Sequence, residues 1–188
     1  MRTSTQIKYK KFFPTFVSNK AYLGPCATLV DKSLHPFLLG KRGGFSYYDL
    51  QASFLGVKDS LDVLENVVID RGKIFFVGGT LSFVSVLLCL PLSPESGVKV
   101  GPWDFSQITK TKGFDFMFLH EIDKKAILES QGKTIPFVGV GSTSVAGISY
   151  PFNLNVEESV LANWYLYAVI NSCRRGMYRR VKLKNNEI

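Results

Sequence analysis

Short apolar runs that alternate with helix-period stretches constrain the fold of this chain most strongly. Three of these runs, "KIFFVGG" at 73–79, "FDFMFL" at 114–119 and "TIPFVGVG" at 134–141, are almost continuously apolar. A strand of that kind is buried on both faces, which is typical of a parallel sheet covered by helices. A shorter aromatic run, "FSYYDL" at 45–50, is also typical of a strand.

Helical periodicity is clearest between Gln51 and Asp70, where apolar residues recur at three- and four-residue steps. Gly72 follows and is expected to end that helix. Shorter helices are predicted over 81–90 and 121–131, whereas the Pro/Gly-rich segment 91–113 is expected to be irregular.

A last helix is predicted from about Val156 to Arg175. Asn155 is its expected N-cap, and Gly176 is expected to stop it after the basic pair at its end. Because strands and helices alternate, the sequence predicts a three-layer α/β fold. Its sheet is mostly parallel with helices on both faces, as in flavodoxin-like and Rossmann-like domains.

Length and composition suit one domain with a proper core, since 188 residues include 46% apolar side chains. Three cysteines, at 26, 89 and 173, lie far apart and form no CxxC pair. They indicate a reducing compartment, and neither a disulfide framework nor a zinc site.

The net charge of +8 is concentrated at the two ends of the chain. Residues 1–20 hold five basic residues and no acid, and residues 174–188 hold six basic residues and one acid. We therefore expect a basic N-terminal arm over 1–20, a single α/β domain over 21–176 and a basic C-terminal tail over 177–188. Such arms suit a polyanionic partner, and the alternative is that they only solubilise the chain.

Two segments resemble targeting or membrane sequences. Residues 74–92 are nineteen residues without a charge, near the minimum for a membrane span. Gly78-Gly79-Thr80 and Pro91 interrupt them, which favours a strand followed by a short helix. The basic, acid-free start of the chain is compatible with an organellar presequence or with an RNA-binding arm.

An enzyme is the alternative class of function. Gly78-Gly79-Thr80 and the small-residue loop 141–144 each follow a predicted strand, where a helix start can hold a phosphate. Neither loop carries the full GxGxxG or GxSxG pattern. Asp115, Glu121 and Asp123 allow a carboxylate cluster, but a solvated helix start explains them better.

The stretch "HPFLLGKRGGFSYYDL" at 35–50 places a basic glycine turn between an apolar and an aromatic run. We expect Gly43 and Gly44 to allow a turn that presents Lys41 and Arg42 to RNA phosphate or to a neighbouring protein. The alternative is that both cations are simply solvated.

Taken in order, these pieces resemble the bacterial-type small-subunit ribosomal protein S-two family. "YLG" at 22–24 is similar to the family's opening His-aromatic-Gly, and the stretch at 35–50 to its Asn-Pro, apolar run, Gly-x-Arg-Asn-Gly and strand. "GKIFFVGGT" is similar to the family's Gly-Lys-Ile-Leu-Phe-Val-Gly-Thr. "FDFMFLHEIDKKAILESQGKTIPFVGVGSTS" and "ISYPFNLNVEES" follow in the family's order, so the resemblance covers about residues 22–176.

The departures from that family are also specific. Its Asp-Thr-Asn loop is "GST" at 141–143, and its Asp-Asp pair is best matched by Glu157 and Glu158. The family's helical hairpin has no room between Trp103 and Phe114, so it is missing here. This trimming, with the basic ends and the abundant Phe and Tyr, resembles a mitochondrial member more than a bacterial or plastid one.

The resemblance implies a non-catalytic constituent of the small ribosomal subunit in the mitochondrial matrix, with a plastid as the alternative location. Its expected partners are ribosomal RNA and neighbouring ribosomal proteins near the head–body junction, with no cofactor, membrane or small-molecule substrate. Aromatic residues amid the cations, Phe12, Phe13 and Tyr178, are expected either to stack on bases or to dock on proteins. The expected RNA-binding cations are Lys8, Lys10, Lys11, Lys20, Lys41, Arg42, Arg174, Arg175, Arg179, Arg180, Lys182 and Lys184.

Overall fold

The protein is described from a computed structural model, which defines residues 14–77, 98–101, 114–120, 127–128, 132, 134–140, 148, 150–152, 155 and 159–186. Its strands are β1 Leu23–Cys26, β2 Leu38–Arg42, β3 Phe45–Tyr48, β4 Ile74–Val77, β5 Val98–Gly101, β6 Phe116–His120, β7 Phe137–Val140 and β8 Tyr150–Phe152. Its long helices are α1 Leu50–Ile69 and α2 Ser159–Asn186, and a 3-10 helix spans Lys32–Phe37.

The strands form two sheets, and the larger one confirms the predicted parallel α/β architecture. Its five strands lie in the order β5-β4-β6-β7-β8, and every neighbouring pair is parallel. The smaller sheet is antiparallel in the order β1-β3-β2 and was not predicted from the sequence. Among the described residues, no helix is long and apolar enough to cross a membrane.

Helix α1 matches its prediction to within one residue at each end. Asp49 caps it, since its carboxylate accepts hydrogen bonds from the backbone N–H groups of Gln51 and Ala52. At the other end, Gly72 N–H donates to the Val67 carbonyl at 2.8 Å and Arg71 N–H to the Val68 carbonyl at 3.3 Å. This pair of bonds is a Schellman motif.

Pleating of the parallel sheet divides the core into two halves, because successive side chains of a strand point to opposite faces. One half packs against α1 and α2 and includes Ile74, Phe76, Phe116, Phe118, Val138 and Val140. The other half includes Phe75, Val77, Met117, Leu119 and Phe137, which pack with Ile127. Burial of each such side chain stabilises the fold by roughly 1.5–3 kcal/mol.

The predicted end of the last helix is wrong. Helix α2 does not stop at Gly176 but continues to Asn186, so residues 177–186 of the expected tail are helical. Gly176 is buried where α2 crosses α1, and a Cβ there would lie 2.7 Å from the Glu65 carbonyl oxygen. The glycine therefore permits a close helix–helix approach rather than a helix end.

Three other predictions concern the segment 91–113, the two short helices and the N-cap Asn155. The segment 91–113, expected to be irregular, contains strand β5. The helix expected over 81–90 lies outside the described residues, as does most of the one over 121–131, of which 127–128 are helical. The N-cap role of Asn155 stays a prediction, because residues 156–158 lie outside the described residues. Asn155 donates through its backbone N–H to the Ala21 carbonyl and through Nδ2 to the Lys20 carbonyl.

The packed body begins before residue 21. Residues 14–18 form a short helix, and Phe16 within it is 1% exposed. Its ring packs edge-on against Phe54 at 4.7 Å and against Trp164 at 4.6 Å between centroids. Part of the segment expected to be a free arm is therefore fixed to α1 and α2.

Candidate nucleic-acid interface

Helix α2 carries half of the cations that the sequence predicts to bind RNA. They are Arg174, Arg175, Arg179, Arg180, Lys182 and Lys184, and the helix contains no acidic residue. Because α2 continues past Gly176, these cations occupy fixed positions on a helix instead of a flexible tail. Arg174 and Lys182 are exposed and make no ion pair with any other described residue.

Two of these arginines bind a buried carboxylate of α1. Arg175 Nε donates to Glu65 Oε2 at 3.0 Å, and Arg175 Nη2 donates to the Ser172 hydroxyl at 2.9 Å. Arg179 Nη1 lies 2.7 Å from Glu65 Oε1, in an ion pair that lacks hydrogen-bond alignment. The Glu65 side chain is 6% exposed, whereas those of Arg175 and Arg179 are 55% and 63% exposed.

This cluster has a structural role that the sequence prediction missed. A buried carboxylate is costly unless it is paired, so the two arginines neutralise Glu65 at the contact of α1 and α2. The spacing of Arg175 and Arg179 places them one turn apart on the same side of the helix. That spacing is a visible signal, but nothing in the sequence identifies Glu65 as the partner.

The remaining cations of α2 differ in exposure. Arg180 is half-buried, and its Nη1 is enclosed with no hydrogen-bond partner among the described residues. Lys184 lies in the last turn of the helix. Tyr178, predicted to stack or dock, is 72% exposed on α2.

The basic glycine turn is a β-hairpin between β2 and β3. Gly43 and Gly44 have φ values of 59° and 82°, and positive φ at both central residues is what a type I′ turn requires. Glycine adopts this backbone without strain, which confirms the predicted turn. Lys41 and Arg42 are both exposed at its base.

Strand geometry separates these two cations. Consecutive residues of a strand point to opposite faces, so Lys41 and Arg42 do not share one surface. Lys41 Nζ donates to the Ala27 carbonyl at 3.4 Å, whereas Arg42 lies on the face of Phe45, its partner in the register. Each cation therefore faces a different part of any ligand.

The predicted N-terminal cations are only partly placed. Lys8, Lys10 and Lys11 lie outside the described residues, as do Phe12 and Phe13. Lys20 is exposed and has a φ of 54°, and its carbonyl accepts hydrogen bonds from Leu23 N–H and Asn155 Nδ2. No described contact joins Lys20, the hairpin cations and the cations of α2 into one cluster.

Most features that would suit an enzyme lie outside the described residues, including Glu121 and Asp123. Both glycine loops, 78–80 and 141–144, lie outside the described residues. Asp115 is used structurally, since its Oδ2 accepts a hydrogen bond from Lys73 N–H at 2.8 Å. Within the described part of the chain, no group of three His, Cys, Asp or Glu residues is placed to hold a metal.

The two described cysteines are in opposite environments. A hydrogen bond from Thr28 lowers the pKa of the exposed Cys26 thiol. Burial raises the pKa of Cys173 to about 12, so its thiol stays protonated at neutral pH and is chemically inert.

No protein-family model matches the chain, and no curated protein sequence matches it significantly.

Proposed function

We propose that this protein is a structural constituent of the small ribosomal subunit that binds ribosomal RNA and neighbouring ribosomal proteins near the head–body junction. One observation carries the RNA-binding part of the proposal. Six cations and no acid lie on α2, and Arg174 and Lys182 remain exposed after Glu65 has been neutralised. Cations held on a rigid element suit the regularly spaced phosphates of RNA.

The distribution of charge between the two packed helices supports this assignment. Helix α1 has a single cation, Lys58, against three acids, Asp59, Asp62 and Glu65. A polyanion is therefore attracted to α2 and repelled from the exposed acids of α1. A chain whose excess charge served only solubility would have no need of this separation.

The resemblance of the sequence to the small-subunit ribosomal protein family supports the ribosomal part of the proposal. Its motifs occur in order on the elements expected of them: "GKIFF" leads into β4, and "FDFMFL" and "IPFVGV" contain most of β6 and β7. Counted in chain order, the five parallel strands lie in the order second, first, third, fourth, fifth. That order is the one of the flavodoxin-like doubly wound fold, which we propose for the domain.

We further propose that the protein works in the mitochondrial matrix as part of the mitochondrial ribosome. The missing helical hairpin and the basic ends of the chain support a trimmed organellar member of the family. No cofactor, membrane or small-molecule substrate belongs to this proposal, and a plastid is the alternative location.

Co-sedimentation tests the proposal directly. A tagged chain in an organelle lysate is expected to travel with small ribosomal subunits in a sucrose gradient. High salt should release it, because each phosphate contact depends on counterion release. A chain that stays at the top of the gradient at every salt concentration would contradict the assignment.

One observation keeps a nucleotide-binding enzyme as the second candidate. Strand β4 lies where the strand order reverses, and Gly78-Gly79-Thr80 follows it directly in the sequence. Crevices at such positions bind ligands in doubly wound sheets. Under this alternative, ATP or GTP raises the melting temperature of the purified chain, and replacing Gly79 with Val abolishes that shift.

A further inference from the structure

The outer face of the antiparallel sheet exposes aromatic rings that are not involved in the proposed phosphate contacts of α2. Phe45 and Tyr47 alternate on β3 with Ser46 and Tyr48, which are buried on the side of the body. Phe45 is 49% exposed, although a Phe ring is among the most costly groups to leave in water. We call Phe45, Tyr47 and their cross-strand neighbours Arg42 and Gly40 the aromatic face.

The aromatic face is open on the side of β2, whereas on the side of β1 Leu23 lies opposite Tyr47 and Cys26 opposite Phe45. In the register, Arg42 lies opposite Phe45, and Gly40 lies opposite Tyr47. Gly40 has no side chain to cover Tyr47, and a Cβ placed there would meet no atom within 4 Å. On the other side, Tyr22 stacks on Tyr47 with ring planes 9° apart and centroids 5.9 Å apart, which fixes the orientation of Tyr47.

One cation, Arg42, lies on the aromatic face, whereas Lys41 points to the opposite side of the sheet. The segment 21–48 as a whole contains three cations against a single acid, Asp31. The Asp31 carboxylate accepts a hydrogen bond from Ser33 N–H at 2.8 Å as the cap of the 3-10 helix. Arg42 is exposed beside Phe45, where its planar guanidinium can contact a phosphate next to a base lying on the ring.

We propose, resting on the RNA-binding function proposed above, that the aromatic face is a stacking platform for unpaired bases of RNA. Flat aromatic rings on an open sheet surface, bordered by arginine, bind splayed bases by stacking. Arg42 beside Phe45 favours this occupant over an apolar protein surface, which gains nothing from the cation. Base stacking by Phe45 and Tyr47 adds to the phosphate contacts of α2 and is independent of charge.

Variants that remove either the aromatic rings or the charge of Arg42 test the proposed stacking platform. The full-length chain is titrated with a short single-stranded RNA, with the same sequence as a duplex, and with the small-subunit ribosomal RNA, over about 50–200 mM salt. The variant Phe45→Leu/Tyr47→Leu keeps apolar bulk but removes both rings. Leu39→Ala is the control, because Leu39 is an exposed residue of the adjacent strand β2.

The expected result separates stacking from charge. Loss of both rings should weaken binding to the single strand by at least about tenfold with an unchanged salt slope, since stacking contributes about 1–3 kcal/mol per base. Binding to the duplex should stay within about twofold. The variant Arg42→Gln should instead lower the salt slope by about one.

Three results would overturn the platform. Unchanged single-strand binding by Phe45→Leu/Tyr47→Leu removes it while leaving the proposed RNA-binding function intact. Normal RNA binding with loss of the variant from assembled subunits would assign the face to a protein partner. Absence of RNA binding by the unmodified chain would end both proposals. If the double variant does not fold, Phe45→Leu alone decides, because half of that side chain is already exposed.

Discussion

Arg71 illustrates how a single residue can be unfavourable in the native fold. Its φ is 61°, in the left-handed region, at the position of the Schellman motif where glycine is usual. Gly72, the residue expected to end the helix, lies one position later. A Cβ at Gly72 would be 2.7 Å from Val67 Cγ1, so this glycine allows a close contact while Arg71 carries the backbone strain.

Arg71→Gly is expected to stabilise the protein by about 0.5–1 kcal/mol. The left-handed strain of a non-glycine residue is relieved, and the greater chain entropy of unfolded glycine offsets part of the gain. Urea unfolding monitored by circular dichroism measures the change. Arg71→Ala is the control that removes the side chain but keeps the strain, and an equal gain in both variants would contradict the explanation.

Cys173 is expected to make stability fall at alkaline pH. Its pKa is about 12 in the folded protein and near 9 in the unfolded chain, so the unfolded state loses the proton first as the pH rises. The contribution of the neutral thiol is complete below about pH 9 and is lost as the pH approaches 12. Between about pH 8 and pH 10 the loss should be about 1 kcal/mol.

Chemical denaturation at several pH values checks this expectation. At neutral pH Cys173→Ala is expected to be less stable because of the cavity it creates, and it should show a shallower decline in stability above pH 9. If both proteins lose stability with the same slope, titration of Cys173 is not the cause.

At the scale of elements, Gly176 shows why local patterns gave one helix end incorrectly. A glycine after two arginines has the local signature of a helix stop. Only the crossing of α1 over α2 explains it, and that contact joins residues about a hundred positions apart in the chain. Of the apolar residues at helical spacing in α2, Leu161 and Tyr165 are buried, whereas Val160 is 48% exposed.

Gly176→Ala is expected to destabilise the fold by about 1–3 kcal/mol. In a solvated helix the change would favour folding by about 1 kcal/mol, but here the added Cβ would lie 2.7 Å from the Glu65 carbonyl and 2.9 Å from Val68 Cβ. Thermal and urea unfolding give the sign. Asn171→Ala, on the exposed side of the same helix, is expected to be neutral or slightly stabilising. A more stable Gly176→Ala protein would mean that the two helices are farther apart.

The strands also differ in whether a local sequence pattern predicts them. Runs that are apolar throughout, β4, β6 and β7, and the aromatic β3, are visible in the sequence because each buries most of its side chains or alternates between two environments. The strands β1, β2, β5 and β8 were missed because Pro or a cation interrupts the apolar residues of each of them. Their pairing depends on neighbours that the sequence does not reveal.

For the molecule as a whole, the sequence predicts where the excess cations lie, but not which of them pair with an acid and which remain available to a ligand. Counting residues located the excess cations of 174–188, and the structure places six of them on one helix. Which of these remain available to a ligand depends on the buried Glu65, which binds Arg175 and Arg179. The aromatic face was missed because "FSYYDL" was interpreted only as a strand.

The salt dependence of binding to small-subunit ribosomal RNA decides whether the protein binds RNA through α2. Arg174→Gln/Lys182→Gln removes two exposed cations of α2 that form no ion pair with the described residues, and Lys58→Gln is the control on an exposed position of α1. The slope of log affinity against log salt is expected to fall by about 1–2 for the double variant and to stay unchanged for the control. An unchanged slope for Arg174→Gln/Lys182→Gln, or an equal decrease for Lys58→Gln, would contradict RNA binding through α2.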